Sequence, residues 1–395
     1  MFSISCLILL LTFLFGSVIS QTNVDVQTLY THLFTTNNYN KLVRPSRNQS
    51  NPNYLYVSFN LYGISGIDEI QQKLTTTGYL EIEWVDELLS WTPSQYGGLS
   101  YILYPQGDVW KPDISLQNGF SKLEELGSKF ISVNIDSSGH VIWRPFHVFE
   151  SKCDIDSTYF PFDRQTCHLY FVAWSLSERD VRLKRGSGIE LVEDLQSHGE
   201  WNIVSTSSLN LRNQYETKVR FTIVIQRKPL YAIMNYILPI ILLSILGVFT
   251  FTIPVDTGER IGYVITVWLA FAVFLTIIND SLPKSSETIP IVSIYIMIQI
   301  SIGTLIVIIS AIESRFVHLS DHEPVNTILL TLAQKCRKRR VQPETEIKKC
   351  MERDETCVTW KEAISALDKF LFWICLSFFV FSTMISLSIA GSKYI

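Results

Sequence analysis

The sequence predicts an extracellular β-sandwich, immunoglobulin-like in kind, followed by a four-helix transmembrane bundle. Three observations carry that. The chain has 395 residues and is 47% hydrophobic, too apolar for a purely soluble protein of this size. Its apolar residues gather in residues 229–312 and again near the C-terminus, leaving residues 21–228 mixed and polar. Within that polar part, short alternating runs recur between Gly, Pro, Asn and Asp clusters, which is the pattern of strands and turns.

Taken in order, Met1 to Ser20 reads as a signal peptide. Leu7 to Phe15 is its apolar run, and Val18 and Ser20 suit a small-residue cleavage site. A first membrane span is the alternative, for which the run is short. Gln21 onward then enters the secretory lumen, where disulfides form and Asn48-Gln49-Ser50 is a glycosylation sequon. Val24 to Asn37 reads as a short helix. Strand-like runs follow at Tyr54 to Tyr62, Gly78 to Glu83, Phe130 to Ile135, Val141 to Phe146, His168 to Val172 and Lys218 to Gln226. Regular short strands over such a length point to a sandwich.

Four uncharged runs come next: Pro229 to Val255, Ile261 to Asn279, Thr288 to Ile312 and Phe370 to Ser392. Each is near or above the ~20 residues a helix needs to cross a bilayer. The expected divisions are a signal peptide at 1–20, an extracellular domain at 21–228 and three membrane helices at 229–312. A cytoplasmic loop at 313–365 and a fourth helix with a short outer tail at 366–395 complete the chain. Lys335-Cys336-Arg337-Lys338-Arg339-Arg340 falls in that loop, as the positive-inside rule requires. Both termini are then extracellular, on a multi-pass plasma-membrane protein, a postsynaptic membrane being one such setting. Val325 to Leu332 suits an amphipathic helix on the membrane surface, and Pro239 should kink the first span. Of the seven cysteines, Cys153 and Cys167 alone lie outside after processing, so they are the natural pair. A loop of that size is worth roughly 3 kcal/mol by chain entropy.

The second span is unusual. Gly262, Thr266, Leu269, Val273, Thr276 or Ile277, and Asp280 fall on one helical face, which extends backwards to Glu259. That face has acids at both ends and a narrow apolar middle, which suits a pore lining built from several copies. A buried span with charged caps fits the same periodicity. Other classes find less support. There is no G-x-S-x-G, H-E-x-x-H or phosphate loop and no cofactor motif, and the one i, i+4 histidine pair, His318 with His322, stands isolated after the third span, which argues against a metal role. The net charge of −4 argues against a nucleic-acid partner. A non-conducting adhesion protein would not need acids at both ends of one helical face.

Several motifs in series resemble the Cys-loop pentameric ligand-gated ion channels, most closely the cation-selective, nicotinic-like branch. They are Trp84-Val85-Asp86 with Trp91 and Tyr96-Gly97-Gly98, then Trp110-Lys111-Pro112-Asp113-Ile114. Cys153 to Cys167 has thirteen intervening residues and contains Phe160-Pro161-Phe162-Asp163. Gly199-Glu200-Trp201 and Gly258-Glu259-Arg260 complete the series. The resemblance covers nearly the whole chain after residue 20. It implies a subunit of a pentamer with four further subunits of the same or a related type, embedded in membrane lipid. It implies a small-molecule agonist, an amine or a zwitterion, bound between subunits. Trp174, seven residues after Cys167, takes the cation-binding tryptophan's position; Tyr215 takes the capping loop's first aromatic and Tyr79 the neighbour's aromatic.

The sequence departs from the family's pattern in the pocket. Gln117 stands where the first loop has tyrosine, adjacent cysteines are absent, and the capping loop is short. Asn134, Ile142 and Arg144 take the complementary lining positions. Arg144 either adds a cation to the pocket, suiting a carboxylate on a zwitterion, or pairs with a neighbouring Glu on the surface. For gating, Phe160, Pro161 and Phe162 are expected to rest on Leu282-Pro283-Lys284, with Arg227 paired to Asp163 or Glu200. In the pore, rings of Glu259 and Asp280 would select cations, monovalent ones with calcium left open. Leu269, Val273 and Ile277 would form the apolar constriction. A subunit that conducts only with partner subunits, or that has lost its agonist response, is the alternative within the family.

Overall fold

The computed structural model describes residues 21–213, 215–255, 258–281, 289–317 and 360–392. The expected signal segment, Leu282-Pro283-Lys284, and the amphipathic and basic stretches of the cytoplasmic loop lie outside these residues. Helix α1 (Asn23–Tyr30) leads in, capped by Thr22, whose side chain accepts from Asp25 N while the Asp25 side chain accepts from Thr22 N. A wider helical turn, Thr31–Thr36, continues it.

Eleven strands then form two sheets. They are β1 (Asn53–Asp68), β2 (Lys73–Val85), β3 (Tyr101–Pro105), β4 (Ile114–Leu116), β5 (Ser132–Asp136) and β6 (His140–Trp143). β7 (Phe146–Lys152), β8 (Arg164–Ala173), β9 (Val181–Gln196), β10 (Trp201–Arg212) and β11 (Thr217–Arg227) follow. One sheet runs β3-β5-β6-β2-β1-β9 with β7 also on β2; the other runs β10-β11-β8-β4. β2 shows why the sequence makes a sandwich. From Lys73 to Trp84 every second residue is buried, so one face packs on the core and the other stays outside. The run expected as one strand at Val141 to Phe146 is two strands. Pro145 has no N–H for a ladder, so β2 pairs first with β6, then with β7.

Phe59 of β1, Phe149 of β7, Phe171 of β8 and Phe221 of β11 join the two sheets. Their ring centroids are 5.3–5.9 Å apart between neighbours, the spacing of favourable edge and tilted packing. The sequence motifs work here as staples. Buried Asp86 accepts from Tyr39 Oη (2.7 Å) and Leu88 N (2.9 Å), while Tyr39 Oη accepts from Trp110 N (3.0 Å). Trp84 and Trp110 meet edge to face at 5.8 Å. Gly139 turns the β5–β6 hairpin at φ +86°, where a Cβ would strike the Asp86 carbonyl. Cys153 and Cys167 are bonded.

Among the described residues, four helices are long and apolar enough to cross a membrane: α2 (Leu230–Thr252), α3 (Glu259–Ser281), α4 (Ile291–Val317) and α5 (Trp360–Gly391). α4 thus continues past the boundary expected at 312, and α5 starts before the one expected at 366. Pro239 cannot donate to the turn before it, and the backbone there takes the wider turn Ile233–Ile237. Polar bonds cross between helices: Trp268 Nε1 donates to Thr304 Oγ1 (3.0 Å), Tyr263 Oη to the Leu246 carbonyl (3.0 Å), and Gln299 Nε2 to Ser382 Oγ (3.1 Å). Trp268 therefore packs between helices, as its position off the α3 face predicts.

Phe171→Ala opens a cavity where both sheets meet. It should cost about 3–5 kcal/mol, read as a lowered midpoint when the detergent-solubilised chain is heated.

Candidate functional site

Two groups of predicted binding residues emerge on different sheets. Trp174 follows directly on β8 and is 58% exposed. Its loop is held by Asp113, whose carbonyl accepts from Trp174 N (3.2 Å) and whose carboxylate accepts from Ser175 N (2.5 Å). Tyr215 sits at the tip of the β10–β11 turn, 75% exposed. Asn213 Oδ1 accepts from the amides of Tyr215 and Glu216 (3.0 and 2.8 Å), which makes the turn tight. β11 begins at Thr217, one residue before the run expected from Lys218. The Tyr215 carbonyl accepts from Glu178 N (3.2 Å), and Glu178 pairs with Arg212 and Arg182. Because β11 pairs with β8 through Lys218 and Val172, Trp174 and Tyr215 lie toward one end of the four-stranded sheet. Gln117, exposed, follows β4 of the same sheet.

Tyr79, Asn134 and Ile142 belong to the seven-stranded sheet and point away from the core, as the burial alternation along β2, β5 and β6 shows, and Arg144, in the link between β6 and β7, is exposed. Asn134 and Ile142 are direct cross-strand partners, and Ile142 faces Glu83 of β2. Tyr79 lies near Tyr62, with centroids 5.9 Å apart. Arg144 Nε donates to Glu81 Oε2 at 2.5 Å, and His140 sits 3.1 Å from Glu83. The two groups thus lie on different sheets of one chain.

At the junction of sandwich and bundle, Arg227 ends β11 and is buried. Its Nε and Nη2 donate to both Asp163 oxygens (2.7 and 3.1 Å), and Nη2 also meets Glu69 (2.7 Å). Its guanidinium lies 4.9 Å from the Phe160 ring and 4.3 Å from the Trp201 ring, both within cation–π range. Burial raises the Glu69 carboxyl above its ordinary value, while Arg227 pulls it back. The partner is thus Asp163, with Glu69 added. The tip of the disulfide loop reaches the bundle. Phe160 joins the cluster of Ala232, Ile240, Phe271 and Ile296, and the Thr158 carbonyl accepts from Ile291 N at the start of α4 (3.0 Å). Pro161 is buried beside it and Phe162 half-buried. Pro283 lies outside the described residues.

α3 is buried on one side only. Arg260, Val264, Val267, Phe271 and Ile278 are inside. Glu259, Gly262, Thr266, Leu269, Val273, Thr276, Ile277 and Asp280 are all exposed. Leu269 is 57% and Val273 51% exposed. Ile265 joins this face, which the pattern of every third or fourth residue passed over.

Other working residues also escape a reading along the chain. Asp113 appears in a motif but not as the support of Trp174. Glu69, Glu313 and Asp368 carry no motif. Their only signal is charge at the edge of an apolar run.

The matches to known proteins agree with this layout. The family described as neurotransmitter-gated ion-channel ligand binding domain matches residues 26–229, and the neurotransmitter-gated ion-channel transmembrane region matches residues 236–346. The chain is 30% identical to the neuronal acetylcholine receptor subunit beta-4 of Gallus gallus, over 74% of this chain and 63% of that one. It is 32% identical to the neuronal acetylcholine receptor subunit alpha-3 of Homo sapiens, over 71% and 56%. It is also 32% identical to the acetylcholine receptor subunit delta of Rattus norvegicus, over 73% and 59%. The chain thus spans about three-fifths of the length of these relatives.

Arg227→Met leaves Asp163 and Glu69 buried without their cation. Breaking such a group costs about 3–5 kcal/mol, so surface expression should fall sharply. The pH dependence follows from Glu69. Its carboxyl holds a proton in the folded chain above the ordinary value of 4.5, so its contribution to stability falls as pH rises from there. Glu69→Gln should flatten that slope in a series of melts across mildly acidic pH.

Proposed function

This chain belongs to the neurotransmitter-gated ion-channel family, and from that premise we propose that it is a subunit of an agonist-gated, cation-conducting pentamer in the plasma membrane. The observation that carries this is the one-sided burial of α3. A span packed only among its own helices or in lipid has no use for carboxylates at both ends of an exposed face, because ionised groups in hydrocarbon are costly. Around a symmetry axis each exposed residue becomes a ring. Glu259 and Asp280 then concentrate cations at the two mouths. Between them Leu269, Val273 and Ile277 form an apolar constriction that closes by dewetting. Gly262 and Thr266 leave the cytoplasmic half wider and more polar. Both termini face outward in this arrangement.

The agonist binds between copies. Trp174 and Tyr215 of one subunit meet Tyr79, Asn134 and Ile142 of the next. Glu81 already occupies Arg144, which offsets the charge that would repel an ammonium group. The exposed indole and phenol rings then suit an amine, each good cation–π contact being worth about 0.5–2 kcal/mol. Closure on the ligand reaches the pore through the disulfide-loop tip, where Phe160 is set in the bundle's core and Arg227 ties it to the end of β11.

Leu269→Ser should wet the closed constriction and raise resting current in cells expressing this chain. Unchanged resting and evoked currents would take the gate away from Leu269. Glu259→Ala should move the reversal potential toward that of chloride in a sodium-dilution experiment, and an unmoved potential removes its role in selectivity.

A further inference from the structure

Arg260 has no part in the pore as proposed, yet it sits next to Glu259 at the same mouth. Consecutive residues on a helix point about 100° apart. Glu259 is exposed, while Arg260 is 1% exposed. Arg260 Nη1 and Nη2 donate to the two carboxylate oxygens of Asp368 on α5 (3.1 and 2.8 Å), and Nη2 donates to Glu313 Oε2 on α4 (2.6 Å). The guanidinium also lies 5.4 Å from the Phe251 ring at the end of α2. All four membrane helices therefore hold one side chain. Glu313 and Asp368 are themselves buried.

The charges decide what this arrangement does. A guanidinium facing the aqueous mouth would sit beside the Glu259 carboxylate, and the two would cancel at close range. Copied around a ring, that pair would leave no net charge to select by. A lone acid would already pair Arg260, yet two acids and a ring lie around its guanidinium.

We propose that Glu313 and Asp368 are positioning residues for ion selectivity, holding Arg260 inside the bundle and offsetting its charge so that the mouth keeps the full negative charge of Glu259. This rests on the pore reading above. A purely structural triad would tie the helices together without affecting which ions pass. Replacing the whole buried ion group, Arg260 included, by neutral residues of similar volume is often tolerated, so the two roles separate.

The test uses the full chain carrying Leu269→Ser, so that current needs no agonist. Glu313→Gln with Asp368→Asn should lower the cation-to-anion permeability ratio toward one in sodium dilution. Adding Arg260→Met to that pair should restore the unmodified ratio, because the cation to be masked is gone. A ratio unchanged in the double variant, or one that stays low in the triple variant, overturns the proposal. If Glu259→Ala itself leaves the ratio unmoved, the pore reading fails first. A second measurement needs no current. In the purified protein, phenylglyoxal should leave Arg260 unmodified in the natural sequence and modify it in the double variant, read by peptide mass. An Arg260 that reacts in the natural sequence, or is protected in both, overturns the proposal as well. Should the double variant not reach the membrane, the triple variant decides: natural selectivity is expected, and its loss refutes the masking role.

Discussion

A guanidinium buried where a sheet ends and a membrane helix begins is the constraint on which this molecule turns. Arg227 lies between the rings of Phe160 and Trp201 and between the carboxylates of Asp163 and Glu69. A buried cation without partners is far too costly to keep. Its neighbours must therefore stay in register: the β1–β2 turn carrying Glu69, the disulfide loop carrying Phe160 and Asp163, and the first residues of β10. Each belongs to a different part of the sandwich. One charge thus ties these segments to the chain entering α2.

The same device appears at the opposite end of the bundle. Arg260 has two acids and an aromatic ring around it, drawn from α2, α4 and α5. Between these two arginines the helices are held largely by apolar packing, with a few polar bonds such as that from Trp268 to Thr304. Dispersion contacts and polar bonds bind helices within a bilayer, where burial of apolar surface gives little. Charge groups at both ends fix the register that apolar side chains alone leave loose.

α3 carries acids at both ends of its exposed face. α2 and α5 expose large apolar residues such as Leu238, Leu242, Trp373 and Phe381. α3 exposes Glu259, Thr266, Thr276 and Asp280 along with its aliphatic residues. The extracellular half shows a matching incompleteness. Its aromatic groups are split between two sheets, with Trp174 and Tyr215 on one and Tyr79 on the other. Both sets lie open on the surface of one chain, and in the proposed assembly one operation, the addition of neighbouring copies, would complete both.

Much of this was readable along the chain. The strand runs, the four apolar spans, the disulfide and the exposed face of α3 follow from composition and from periods of two and 3.6, which are properties of neighbouring residues. Every residue expected on that face is exposed, with Ile265 added, because a helix keeps its period wherever it packs. Strand limits were less legible: Pro145 split one expected strand, and β9 and β10 carried too little apolar alternation to be read. The partners of the buried charges were not legible at all. Asp163 lies 64 residues before Arg227, while Glu313 and Asp368 lie 53 and 108 residues after Arg260. No local pattern links residues so far apart. Sequence alone determined which side chains of α3 face outward and that an arginine stands beside Glu259. Only the tertiary structure decided where that arginine's charge goes, because compensation of a buried charge depends on distance in space and not along the chain.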